Sequence, residues 1–232
     1  TVLDYLDCSR NGMASLTISA CTALITLNCY ENQLDTLDVS HNTALEYLDC
    51  SDNLLTALDV SYNTALAGLD CYTNRITALD LGGLTSLYAL DCSDNLLSVL
   101  DVSDNPLERL NCGDNQLATL DVTAKTDLYV LECPANLLTA LDVSQNTQLA
   151  DLVCSENSLT ELDISANTLL ENLECGDNSL TALDISHNTN LWSLLFSGNE
   201  IASIDLSGCA LYFLDCHDTA LTALDVTGSP DI

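Results

Sequence analysis

The segment LTALDVSYNTALAGLDCYTNRITALD, beginning at Leu55, states one pattern and then states it again. Aligned on its opening leucine, the pattern recurs in eleven units, 3–23, 24–44, 45–65, 66–86, 87–106, 107–127, 128–148, 149–169, 170–190, 191–210 and 211–231. Each is 21 residues long except two that lose one residue just before the next leucine, which is where a loop can be trimmed. The consensus is LxxLxCxxNxLTxLDVSxNTx. A fixed period of this size is the signature of a solenoid. One such unit cannot bury its own leucines, whereas a stack of identical coils buries them continuously. Residues 1–232 are therefore expected to form a single solenoid.

In LDC and LDV the residues flanking Asp are apolar, so a period of two turns the neighbours inward and the Asp outward. Both halves of the repeat are expected to make short strands. The fold class is a solenoid of parallel β-strand coils, mostly strand and loop with little or no helix. Parallel strands lie about 4.8 Å apart, so eleven coils give a rod or arc on the order of 50 Å long.

Stacking converts each repeat position into a file along the molecule. Cysteine fills one at Cys8, Cys29, Cys50, Cys71, Cys92, Cys112, Cys133, Cys154 and Cys175, broken by Phe196 and resumed at Cys216. In-register strands aim these side chains the same way at about 5 Å, beyond the usual Cβ separation of a disulfide, and no CxxC spacing suggests zinc. They are expected as small core residues. Cys21 and Cys209 stand apart, where other repeats carry a second asparagine, and are expected as buried loop thiols, with pairing to another chain or to segments outside this sequence as the alternative. The first asparagine file runs from Asn11 to Asn199 and ends with Thr219; the second holds Asn42, Asn63, Asn105, Asn146, Asn167 and Asn188. An amide can satisfy the backbone of a turn and still reach the next coil, so both files are expected to be structural.

These residues carry a family resemblance. The chain resembles leucine-rich-repeat proteins of the LxxLxLxxNxL type, with cysteine at the sixth place, and its 21-residue repeat with an LDVSxNTx second half is similar to bacterial surface repeats of the internalin J kind. The resemblance covers nearly the whole chain. It implies a curved, non-catalytic solenoid used for adhesion or recognition, secreted or held at a cell surface, with the first strand lining its concave face.

Thirty-five acids face four bases (Arg10, Arg75, Arg109 and Lys125), yet 47% of residues are hydrophobic, too many for an acidic disordered tail. Such a charge argues against nucleic acid and anionic lipid as partners, and favours a basic partner, high salt or divalent ions. No apolar run approaches the 18 or so residues of a membrane span. Three acidic files hold most of the acids: Asp38, Asp59, Asp80, Asp101 and six more in the second half, Asp7, Asp49, Asp70, Asp91, Glu132, Glu174 and Asp215 on the first strand, and Glu31, Asp52, Asp94, Asp114, Glu156, Asp177 and Asp218 just beyond it. The second-half file is expected to belong to the turn that follows. Calcium along Asp38, Asp59, Asp80 and Asp101 is the alternative; otherwise no cofactor or metal is expected, and no loop matches an EF-hand.

Positions two and three of the repeat hold Tyr5, Tyr47, Tyr88, Tyr129, Trp192, Tyr212 and Phe213 together with Arg109. With Asp49, Asp70 and Asp91 they form the candidate binding strip, suited to a protein or glycan at a cell surface because Tyr and Trp offer flat apolar area with a polar tip. Catalysis finds no support: His41 and His187 share an exposed loop position, His217 follows Cys216 on a strand, and neither a nucleophile elbow nor a glycine-rich phosphate loop is present. The competing expectation is structural. The chain starts almost at once in a repeat, its only weak capping signs are the degenerate GMASLTISAC and Pro230, and Ile232 opens a twelfth coil. On that view missing caps, or coils stacking end to end between molecules as a filament or surface layer, are the two options.

Overall fold

The computed structural model describes residues 2–227 and divides between Leu117 and Ala118 into two compact units. Pro230 and Ile232 lie outside the described residues. The first unit holds β1 (Tyr5–Asp7), β2 (Thr26–Asn28), β3 (Tyr47–Asp49), β4 (Gly68–Asp70), β5 (Ala89–Asp91) and β6 (Arg109–Asn111). The second holds β7 (Val130–Glu132), β8 (Asp151–Val153), β9 (Asn172–Glu174), β10 (Ser193–Leu195) and β11 (Phe213–Asp215). Within each unit successive strands pair parallel and in register, so Leu27 lies beside Leu48 and Leu48 beside Leu69, while Leu131 lies beside Leu152 and Leu152 beside Leu173. The 21-residue offset between partners is the sequence period made physical. Among the described residues there is no helix.

Each coil has one strand, not two. The LDV half keeps the expected alternation, with Leu37 and Val39 buried around an exposed Asp38, but it joins no sheet. Its inward side chains give it a place in the core, and its backbone has no ladder to the next coil. The core consists of the same few files in every coil, seen in repeat 45–65 as Leu45, Leu48, Cys50, Leu55, Leu58 and Val60. All twelve cysteines are free. Burial pushes the thiols of Cys29, Cys133 and Cys175 up to about 12 and those of Cys50, Cys71, Cys92 and Cys154 well above the ordinary range, so they behave as apolar packing groups. Phe196, fully buried, fills the break in the file.

The first asparagine file fastens the turn after each strand. Asn53 donates its Nδ2 to the carbonyls of Cys50 and Ser51 in its own coil and of Cys29 in the coil before, while its Oδ1 accepts from the Leu34 N–H. Asn178 and Asn199 repeat this arrangement in the second unit. Thr219, at the end of the file, replaces it with one bond from its hydroxyl to the Cys216 carbonyl.

The second file is looser. Asn63 donates to the carbonyls of Val39 and Asn42, but its Oδ1 is buried without a partner, as are those of Asn42, Asn146, Asn167 and Asn188. Leu84 and Lys125 occupy this file too, each closing the same backbone turn, and Lys125 is only 5% exposed. Cys209 is buried as expected and donates its Sγ to the Asn188 carbonyl at 3.4 Å; Cys21 is only half-buried.

Candidate functional site

The outward residues of the strands are the first and third of each triplet. Third-place Asp49, Asp70 and Asp91 stand side by side on β3, β4 and β5, and the first places beside them hold Tyr47, Gly68 and Ala89. Gly68 gives Tyr47 room: a Cβ on it would meet the tyrosine Cδ1 at 3.0 Å. The Tyr47 ring lies over that gap and its hydroxyl comes within 3.5 Å of the hydroxyl of Tyr88, two coils on. Tyr5 is exposed on β1 and receives a long bond from Asn28 Nδ2 at 3.5 Å, and Arg109 opens β6 with its side chain exposed. Thus the structure brings Tyr47, Tyr88, Asp49, Asp70 and Asp91 together on the first unit's sheet face.

In the second unit Trp192, Tyr212 and Phe213 gather around β10 and β11, where Tyr212 and Phe213 both donate their N–H to the Trp192 carbonyl, and all three side chains are exposed. Tyr129 precedes β7 and is exposed as well. Here the third place alternates between acid and apolar residue, Glu132, Val153, Glu174, Leu195 and Asp215. The two sheet faces therefore differ in how their acids are spaced: Asp49, Asp70 and Asp91 follow one another in the first unit, whereas Val153 and Leu195 separate the third-place acids of the second.

Most third-place carboxylates are stabilised locally. Asp49 Oδ1 accepts from the N–H and hydroxyl of Ser51, and Asp91 Oδ1 accepts likewise from Ser93, while its Oδ2 receives Asn111 Nδ2 at 3.1 Å. His217 does the same work for Asp215. It lies past the end of β11, so it is not the strand residue the sequence suggested; its Nδ1 is 2.6 Å from Asp215 Oδ1, and that bond raises the imidazole above its ordinary range. Asp70 differs. The residue two places on is Tyr72; the Cys50 N–H bonds the Asp70 backbone carbonyl, but among the described residues no hydrogen bond reaches the Asp70 carboxylate. One edge of its side chain is exposed, yet the packing around it and then the carboxylates of Asp49 and Asp91 lift it to about 6. Sequence reading missed Gly68 and Tyr72, whose signals are a glycine following a tyrosine in the first-place file and the lost serine.

The second-half aspartates belong to their turns, as expected. Asp38, Asp59, Asp80 and Asp101 each accept at Oδ1 from the N–H two residues on, at 2.9–3.0 Å. Such bonds hold Asp38, Asp59, Asp121 and Asp225 below the usual carboxylate range, the side-chain hydroxyl leading, and Asp142, Asp163, Asp184 and Asp205 likewise, the N–H leading. A shallow groove of about 790 Å³ lies along Asp142, Asp163 and Asp184, but among the described residues no three His, Cys, Asp or Glu side chains converge to hold an ion.

The acidic file just beyond the strand has a reason the sequence hid. Glu31, Asp52, Asp94, Asp114, Glu156, Asp177 and Asp218, together with Arg10, Thr73 and Ala135, all have φ between 48° and 55°. This left-handed turn favours Asn, Asp and Gly, so part of that acidity answers a backbone demand.

Twenty-one-residue repeats, a one-strand coil, a cysteine file and a turn asparagine define a leucine-rich-repeat protein, and the chain is one. Among solved structures it is similar to the functional domain of InlJ from Listeria monocytogenes, described as including a cysteine ladder, at 40% identity and TM-score 0.90 over 99% of this chain and 57% of that one. The chain thus spans little more than half the length of that relative. A leucine-rich-repeat protein from Leptospira interrogans (22% identity, TM-score 0.78, 90% of this chain and 64% of that one) and the internalin InlF from Listeria monocytogenes (21%, 0.72, 92% and 74%) share the fold. No family model and no curated protein matches the chain.

Proposed function

We propose that the chain is a non-catalytic recognition module of a bacterial secreted or cell-surface protein, binding a protein or glycan through the outward face of its strands. The observation that carries this is positional. Core, cysteine, asparagine and turn-aspartate files repeat with little change, while the first outward place runs Tyr5, Thr26, Tyr47, Gly68, Ala89, Arg109, Val130, Asp151, Asn172, Ser193 and Phe213. Apart from the buried Val130 and Ser193, these places vary freely and, in each unit's parallel ladder, include exposed Tyr5, Tyr47 and Phe213, which is what a specific surface needs. The similarity to InlJ supports the same reading.

The test is binding of labelled chain to intact cells, before and after protease or glycosidase treatment. The wild type binds saturably; W192A/F213A and Y47A/Y88A lose most of that binding, and D142N/D163N, altered away from the strands, keeps it. Equal binding by all four would overturn the reading.

A further inference from the structure

The first unit's sheet face holds an electrostatic arrangement that its own residues leave unresolved. Elsewhere on that face acids are separated by amides, Asn28 between Asp7 and Asp49, and Asn111 beside Asp91. Over β3–β5 three acids follow one another, at a strand spacing of about 4.8 Å. The middle one, Asp70, has also lost the serine that serves its neighbours, because Tyr72 stands there. Neighbouring like charges at this spacing disfavour one another, and local conflicts of this kind concentrate where a chain is built for something other than its own stability. Tyr47 lies two residues back from Asp49 along β3, about 7 Å away, and Tyr88 just ahead of β5. There the Tyr47 ring covers Gly68 and meets Tyr88, an exposed flat surface beside a line of negative charge.

We propose that the face of β3–β5 docks a basic segment of a partner protein, with an arginine side chain laid on the Tyr47–Gly68–Tyr88 surface and its guanidinium against Asp49, Asp70 and Asp91. This rests on the strand-face reading above and names its partner class. Charge complementarity selects the occupant. The chain carries a formal net charge of −31, and no base stands on β3, β4 or β5. A guanidinium stacks on aromatic faces and presents a fork that fits a carboxylate bidentately, which uses both rows at once. A neutral glycan would gain contacts from the tyrosines and leave the three charges as unbalanced as before.

The ionisable groups facing Asp70 are Asp49 on β3 and Asp91 on β5; the thiols of Cys50, Cys71 and Cys92 turn into the core and stay protonated. Since Asp70 is lifted to about 6, docking weakens as pH falls below that value.

The experiment is calorimetric titration of the folded chain with the peptide GRSRSRG and its citrulline analogue, at fixed ionic strength, at pH 7.5 and pH 5. The arginine peptide is expected to bind and the analogue not to. D70N should weaken binding about tenfold and remove most of its pH dependence, and Y47A/Y88A about fivefold, the scale of a charge-assisted contact and a cation–π contact. D163N, which removes the same charge from a second-half turn, should change binding less than about twofold, the effect of a distant, screened charge. Equal losses in D70N and D163N, or equal binding of the citrulline peptide, would overturn the proposal. If D70N leaves peptide binding unchanged while W192A/F213A still abolishes cell binding, the basic partner falls and the recognition reading stands.

Discussion

The two halves of each repeat look alike in sequence, LxxLDC beside LxxLDV, yet they solve different problems. The first half makes the one β-sheet ladder among the described residues, closes it with a left-handed turn, and ties that turn to the neighbouring coil through an asparagine whose donors and acceptor are used. The second half buries the same kind of side chains without a ladder, and its asparagine leaves a buried oxygen unpaired. Where every bond of a side chain is used, asparagine is kept in every coil but the last, where Thr219 retains a single bond. Where one is not, leucine, cysteine and lysine stand in, as at Leu84, Cys209 and Lys125.

This contrast is open to measurement. Asn53→Ala or Asn178→Ala strands several buried carbonyls and an N–H, and should cost about 2–4 kcal/mol in chemical denaturation. Asn63→Leu removes a group already carrying an unpaired oxygen and should cost under about 1 kcal/mol. Equal losses at the two sites would erase the distinction.

The left-handed turn gives the next effect. At Gly198, φ is 66° and a Cβ would press into the Asp177 carboxylate, so Gly198→Ala should destabilise by about 1–3 kcal/mol. In the opposite sense Thr73 is β-branched at φ 49°, and Thr73→Gly should raise stability by roughly 0.5–1 kcal/mol. A melting temperature unchanged in both variants would show that the turn is not under strain.

The pH dependence has two signs, one from each half. Eight second-half aspartates, Asp38, Asp59, Asp121, Asp142, Asp163, Asp184, Asp205 and Asp225, have folded pKa values below their unfolded value of 3.8, so the stability they contribute is present above that value and lost as pH falls through the folded pKa. Asp70 is raised from 3.8 to about 6, so its contribution is fully present below 3.8 and lost as pH rises through 6. Stability should therefore rise slightly from pH 7 to pH 4 and fall below it. D70N should flatten the first limb and D142N/D163N should weaken the second. Tyr72→Ser, restoring the donor that Asp49 and Asp91 enjoy, should bring the Asp70 titration below 6 by carboxyl NMR.

Much of this was legible in the sequence because a solenoid writes its architecture once per coil. The period gave the stack, the alternation around Asp gave the core, and the asparagine files gave the turns. Two things were not legible. A period of two describes which side chains face inward, not whether a backbone finds partners, so LDV reads as a second strand although it joins no sheet. The left-handed turn was also hidden, since an acid at that place looks like charge rather than conformation. In the candidate site, the aromatic strip could be read from position alone. That Gly68 seats Tyr47, and that Tyr72 leaves Asp70 unsupported, depends on neighbours 21 and 2 residues away and emerged only from the geometry.

Amide hydrogen exchange tests most directly whether one ladder per repeat holds the stack. The N–H groups of Cys29, Cys50 and Asn53 are bonded to carbonyls of an adjacent coil, whereas Leu58 and Val60, equally buried in side chain, belong to no ladder. Protection factors for the first group should exceed those of the second by at least about tenfold, since ladder amides open only with the stack. Equal protection across both halves would contradict the one-ladder coil.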